Sequence, residues 1–162
     1  AYSGALNMTN LTTNRFSIMM HELLKISSIG EYFGKTSVDL SFIDITARHV
    51  VKIAASQAQS IIYHIYSPHT RTMQSVLENA KQTQMNIISD EEFEQMLLNN
   101  GMHEVIGLSS GDTTQVPAQI ESEMTQHVIA QLGDGWPHVT SQWLRGWRDL
   151  LIEKFKESEE HE

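Results

Sequence analysis

Two stretches decide the fold between them: VDLSFIDITARHVVK, from Val38 to Lys52, and IIYHIYSPHT, from Ile61 to Thr70. Ser37 to Ile43 alternates, with Val38, Leu40 and Phe42 on one side and Asp39 and Ser41 on the other, the period-two pattern of a strand. Asp44 then stands where an N-cap belongs, and Ala47, Val50, Val51 and Ala54 recur at helical spacing, so a helix with that stripe buried is predicted. Ile61 to Tyr66 is apolar or aromatic on both faces except for His64, which predicts a strand covered on both sides, as in a parallel sheet. Strand, helix, strand is an α/β order.

On the N-terminal side, Ala1 to Thr13 has no steady period and reads as a loop. Phe16, Met19, Met20, Leu23 and Leu24 predict a helix over 14–28, with Gly30 at its C-cap. On the C-terminal side, the Ser67-Pro68-His69 turn leads into a helix over 72–84 that buries Met73, Val76, Leu77 and Ala80. Asn86 to Ser89 is a candidate strand. Ser89 with Glu92 spells a capping box for a helix carrying Phe93, Met96 and Leu97, and Asn99-Asn100-Gly101 stops it. After an irregular stretch, Pro117 opens a helix with Ile120, Met124, Val128 and Leu132 on one side, ending at Gly133. A last helix over 140–156 carries Trp143, Trp147, Leu150 and Leu151, and 156–162 forms a solvated acidic tail. The expected whole is helix-heavy α/β with two or three strands.

Charge and composition exclude several functions. Eleven basic residues against 20 acidic leave a net charge of −9, which opposes binding to a phosphate backbone or an anionic membrane surface. No apolar run approaches the roughly 20 residues that span a bilayer, and nothing resembles a signal peptide. Without cysteine there are no disulfides, thiolate metal sites or Cys nucleophile, which fits the cytoplasm. The eight histidines lack metal-ligand spacing: His21-Glu22 is not followed by a second His four residues on, and His64, His69, His127, His138 and His161 are scattered. Asp90, Glu91, Glu92 and Glu94 complement a helix dipole rather than form an acidic site. Ser109 to Asp112 and Gly133-Asp134-Gly135 match neither a P-loop nor a dinucleotide loop and read as turns. Trp136, Trp143 and Trp147 suggest core or interface. Asp44 weighs as a cap first and as a site residue second, because it ends a strand facing a loop.

The segments Val38 to Lys52, Ile61 to Thr70 and MQSVLENAK (Met73 to Lys81) resemble, in order, the C-terminal part of extended short-chain dehydrogenase/reductases. Phe42-Ile43-Asp44, Ala47, Val50-Val51, Ile53-Ala54, Tyr63-His64 and Ser67-Pro68 occupy that family's strand–helix–strand–turn positions. Phe42 stands where the family often has Pro, and Ser67 where it often has Asn. Together with NRFSIMMHELLKISSIGE (Asn14 to Glu31), ISDEEFEQML (Ile88 to Leu97) and WPHVTSQWLRGW (Trp136 to Trp147), the chain resembles the terminal thioester reductase domains of non-ribosomal peptide synthetases, in particular those of aureusimine-type pyrazinone synthetases.

The resemblance implies a C-terminal substrate-binding subdomain over 1–155, with its strands belonging to an incomplete Rossmann-type sheet. It implies a parent enzyme that uses NADPH to release a carrier-bound peptidyl thioester as an aldehyde. The partners it implies are an upstream Rossmann half and a peptidyl carrier protein with its phosphopantetheine arm; neither nucleic acid nor membrane is expected. The family's glycine-rich loop and Tyr-x-x-x-Lys pair have no counterpart here, since Tyr32 is followed four residues later by Thr36. No catalytic or cofactor-binding role therefore transfers to this chain, no bound cofactor is expected on it, and no metal. The substrate-side loop candidates are Tyr2, Ser3 and Gly4, near the cofactor's nicotinamide end in the family, with Asp44, Pro68 and His69; residues 14–36 and 67–155 would wall the acyl channel. Two alternatives stay open at this point: a stand-alone helical protein-interaction module, and the substrate subdomain of a sugar-nucleotide-modifying member of the same superfamily.

Overall fold

The computed structural model describes residues 11–57, 62–102, 105–106 and 122–160. In chain order the elements are α1 (Arg15–Lys25), β1 (Ser28–Gly30), α2 (Glu31–Lys35), β2 (Ser37–Val38), α3 (Ile43–Ala55), β3 (Arg71–Thr72), α4 (Met73–Lys81), β4 (Asn86–Ile88), α5 (Asp90–Asn99), α6 (Glu123–Gln131) and α7 (Ser141–Glu159). The class is helix-rich α/β. The elements sort into two compact units. The larger comprises Asn10–Val38, Arg71–Gln115 and Thr140–Glu162, and the smaller comprises Ala1–Thr9, Asp39–Thr70 and Val116–Val139.

In the larger unit α4 packs along α7, with α1 against both and α2 against α4. Met19, Met20 and Leu23 of α1, Met73, Val76, Leu77 and Ala80 of α4, and Leu144, Trp147 and Leu151 of α7 are buried, each set at helical spacing. Capping explains where these helices start. The Asn14 side chain accepts from the Ser17 N–H, Thr72 from Ser75 and Thr140 from Trp143. The Ser89–Glu92 capping box is complete in both directions, and α5 buries Phe93 and Leu97. Basic side chains tie off the helix ends. Lys81 Nζ donates to the Ile26 carbonyl just past α1, and Arg148 Nη1 donates to the Ala80 carbonyl near the end of α4 at 2.7 Å.

The sheets of this unit are small. β1 pairs in parallel with β4, Ile29 opposite Ile87, and β2 pairs antiparallel with β3. The expected strand over 37–43 is therefore two residues long. Beyond Val38, Leu40 and Phe42 are still buried, but so is Ser41, because its hydroxyl is consumed in the hydrogen bonds described below. Gly30 does not cap α1, which ends at Lys25 with Ile26 as its C-cap; it closes β1 and starts α2. A side chain would be in the way there. A Cβ on Gly30 would sit 2.6 Å from Asp90 Oδ1, and that carboxylate accepts the Tyr32 N–H at 3.0 Å, serving as the missing N-cap of α2.

The smaller unit is built on α3 packed against α6. Three expectations are corrected here. Asp44 does not cap α3: Phe42 is the cap residue, and Asp44 lies in the first turn, where its charge suits the helix dipole. The buried face of α3 carries Ile45, His49 and Ile53, while Ala47, Val50, Val51 and Ala54 are exposed. The helix is apolar on two sides, and the α6 side is the one this unit covers. In α6 the buried residues are Thr125 and Ile129, one position later than Met124 and Val128; Pro117 and Ile120 lie outside the described residues.

The segment 62–65 is not a strand, and Ile61 lies outside the described residues. A parallel strand needs neighbours to take its N–H and C=O groups. Side chains of α6 take them instead: the His64 N–H donates to Thr125 Oγ1 at 3.1 Å, and Gln126 Nε2 donates to the Tyr66 carbonyl at 2.9 Å. Those bonds also fix which face of α6 turns inward. In the larger unit, α7 runs on past Lys156 to Glu159, with Lys154 bonded to Glu157 at 2.7 Å.

Candidate functional site

The candidate substrate-side residues that the structure describes all fall in the smaller unit; Tyr2, Ser3 and Gly4 lie outside the described residues. Asp44 is exposed at the start of α3, its Oδ1 accepting from the Ile45 N–H at 2.9 Å. Pro68 is exposed. His69 stacks on His138 with ring centroids 3.7 Å apart, and its N–H donates to Ser67 Oγ at 3.2 Å. The Ser67 N–H donates in turn to Ser41 Oγ at 2.7 Å, and Ser41 Oγ donates to Asp39. That chain of bonds fastens the turn carrying Pro68 and His69 to the segment leading into Asp44. Ser67 is buried, so its place in the turn is set by satisfied polar groups rather than by apolar contact.

A second cluster in the same unit went unnoticed in the sequence. Asp134, read there as a turn residue, accepts from Arg48 Nη2 at 2.8 Å, lies 2.8 Å from Lys52 Nζ through its other oxygen, and approaches His49 Nε2 to 3.5 Å. The Gly135 N–H also donates to it at 2.9 Å. Lys52 above all, then the Gly135 amide and Arg48, hold this carboxyl far below the usual carboxylate range, although burial works the other way. Arg48, His49 and Lys52 are at i, i+1 and i+4 of α3, so one helix turn presents all three toward the Gly133–Gly135 turn. Gly133, with φ of 67°, is the left-handed residue that ends α6 and aims Asp134 inward. A weak sequence signal existed: a charge between two glycines after an apolar helix.

His49 is fully buried, edge-on to Trp136 at 4.5 Å between centroids. Burial pushes its pKa below 6.5, with the Asp134 carboxylate pulling the other way and losing. The imidazole is therefore neutral in the fold. An unfolded chain takes up a proton near the ordinary value, whereas the folded one resists, so stability falls as pH drops below about 6.5. Urea midpoints measured from pH 8 to pH 5 are expected to decline for the wild type and to decline less for His49→Gln. Equal slopes would show that His49 is not the group responsible.

Trp136 belongs to this cluster, while Trp143 and Trp147 stack on one another in the larger unit at 5.9 Å. Among the described residues, no group of three or more His, Asp or Glu is placed to hold a metal, and no helix is long and apolar enough to cross a membrane. Nor does the Gly133-Asp134-Gly135 turn suit a pyrophosphate. The glycine-flanked turn lies at the C-terminal end of α6, where carbonyls point outward, and the Asp134 carboxylate would repel a pyrophosphate.

No known family model matches the chain, and no curated protein sequence does. Solved structures do match. The reductase domain of the aureusimine biosynthetic cluster is 36% identical, with a TM-score of 0.88 over 94% of this chain and 42% of that one. A thiolation-reductase di-domain from an archaeal non-ribosomal peptide synthetase shares the fold at 21% identity, with a TM-score of 0.75 over 96% of this chain and 34% of that one. The chain thus spans less than half the length of either. In fold and sequence it is similar to the reductase domains of non-ribosomal peptide synthetases, and the match fits a C-terminal fragment of one.

Proposed function

We propose that this chain is the substrate-binding, carrier-facing part of an NADPH-dependent reductase that releases a carrier-bound peptidyl thioester as an aldehyde. The observation that carries the reading is the 36% identity to the aureusimine cluster reductase domain, sustained over 94% of the chain. The absence from the sequence of a glycine-rich dinucleotide loop and of a Tyr-x-x-x-Lys pair fits the same division of labour. NADPH and hydride chemistry are then assigned to the remainder of the reductase, and this part contributes shape. Its bonded Ser41–Ser67 turn, with Pro68 and His69 outward, suits a wall against which an acyl chain is held, because a held geometry limits the poses open to a flexible substrate. The partner in this reading is a peptidyl carrier protein presenting its thioester on a phosphopantetheine arm.

The test has two arms. The chain by itself, mixed with NADPH and an aminoacyl thioester, is expected to oxidise none of it. Titrated with a phosphopantetheinylated carrier protein and followed by NMR, it is expected to show shifts concentrated at Asp44 and Ser67–His69. Turnover by the chain itself, or no shift at saturating carrier, overturns the assignment.

A further inference from the structure

Helix α5 ends on two residues with a chemistry of their own. Of the chain's asparagines only Asn100 is followed by glycine. Asparagine is thermolabile because the next backbone nitrogen can attack its side-chain amide carbon, and glycine, with no Cβ, leaves that nitrogen the least crowded. Asn100 is exposed, so water reaches it.

The end of the helix controls the approach. Gly101 lies in the left-handed region with φ of 68°. The Met102 N–H donates to the Leu97 carbonyl at 2.9 Å and the Gly101 N–H to the Leu98 carbonyl at 3.1 Å, the two bonds of a Schellman motif, and Met102 and Leu97 are both buried. Asn100 Nδ2 donates to the Met96 carbonyl at 2.7 Å. Both reacting groups are thus held in hydrogen bonds. With ψ of 3° at Asn100, the Gly101 nitrogen eclipses the Asn100 nitrogen, whereas a five-membered ring needs it to eclipse Cβ. Closing that ring requires ψ to swing round, which breaks both Schellman bonds and draws Met102 from the core.

We propose that Asn100 is a site of spontaneous deamidation, shut in the folded chain by the Schellman end of α5 and opened when that end frays. The Gly101 nitrogen gives its proton to solvent base and bonds to Asn100 Cγ. The Cγ–Nδ2 bond breaks, the side-chain nitrogen leaves as ammonia with a proton from water, and a succinimide closes. Water then adds at either ring carbonyl and opens the ring to aspartate or isoaspartate, so that amide and water become acid and ammonia. Asp134-Gly135 could close the same ring, but Asp134 is paired as a carboxylate with Arg48 and Lys52 and has no group to expel.

The products do not rebuild the old helix end. Either one sets a carboxylate where Asn100 Nδ2 donated to the Met96 carbonyl, at a helix C-terminus, where negative charge is disfavoured. Isoaspartate also adds a methylene to the main chain before Gly101, and the Met102–Leu97 bond loses its register. The modified chain is left with a frayed α5.

To test this, the chain is held at mildly alkaline pH, folded and in urea, and peptide mapping by mass spectrometry follows each asparagine, with electron-transfer fragmentation separating isoaspartate from aspartate. Asn100 is expected to convert ahead of the other asparagines in both states, and at least about tenfold more slowly in the folded chain, since the ring must wait for the helix end to open. Met102→Ala removes buried apolar area from the Schellman end but keeps the Asn-Gly pair. It is expected to speed the reaction several-fold in the folded chain and to leave the rate in urea unchanged. Should that variant not fold, the wild type with and without urea still decides. Equal rates in the two states, or no acceleration in folded Met102→Ala, would overturn the gate, and another asparagine converting before Asn100 would overturn the site. Amide hydrogen exchange over 97–102 is expected to quicken in the purified isoaspartate form; unchanged exchange would overturn the fraying.

Discussion

Truncation of Trp147 to alanine is expected to lower the unfolding free energy by about 3–5 kcal/mol, the largest single effect in the chain. Trp147 is buried in α7, stacked on Phe16 of α1 at 6.0 Å and on Trp143 at 5.9 Å between centroids. Its removal opens a cavity between helices that are fixed at their ends by Arg148, Lys81 and the Thr140 cap, so the site cannot collapse to fill it. Phenylalanine separates area from hydrogen bonding. The Trp147 Nε1–H has no hydrogen-bond partner among the described residues, and a buried donor without one is itself destabilising by roughly 1–3 kcal/mol. Trp147→Phe sheds that donor along with some volume, and the two changes nearly offset. Chemical denaturation of both variants checks this: a Phe variant as damaged as the Ala variant would mean that the indole N–H is bonded in solution, through water.

The larger unit was legible in the sequence because its signals are local. Asn14, Thr72 and the Ser89–Glu92 box are caps within three residues of their partners, and the apolar spacing of Met73, Val76, Leu77 and Ala80 has only one buried phase. What failed was what depends on partners far along the chain. Periodicity in α3 established a helix but could not choose between its two apolar faces, and the choice fell to α6, far along the chain. Ile61 to Tyr66 carries the composition of a strand, yet side chains of α6 answer His64 and Tyr66 where a sheet would otherwise do so. The candidate site divided the same way. Ser67-Pro68-His69 was visible as a turn, but the Ser41 hydroxyl that pins it was not, since nothing local marks a serine as buried. Asp134 stayed hidden for the plainest reason: Arg48 and Lys52 are its partners, and Arg48 lies 86 residues before it.

Asp134→Asn tests that hidden cluster, with an expected loss of roughly 1.5–3 kcal/mol, the range for hydrogen bonds to a charged group. The amide keeps the shape and can still accept from Gly135, but it leaves Arg48 and Lys52 facing one another across a neutral group. Removing either cation alone is expected to matter less, because both are substantially exposed and the carboxylate retains the other. The pH dependence makes the assignment specific. A carboxyl whose pKa is depressed in the fold stabilises it above the ordinary value near 3.8, and that stabilisation drains away as pH falls below it, because the unfolded chain takes up the proton first. The wild type is therefore expected to show two separate losses on acidification, one beginning near pH 6.5 from His49 and a second below about pH 4 from Asp134. Asp134→Asn removes the second. It steepens the first, since the carboxylate was the main influence favouring the protonated imidazole. Guanidinium chloride midpoints for the two proteins between pH 8 and pH 2.5 resolve both limbs. An Asn variant that keeps the wild-type loss below pH 4 would mean that another carboxylate carries it, and that Asp134 is a spectator between two surface cations.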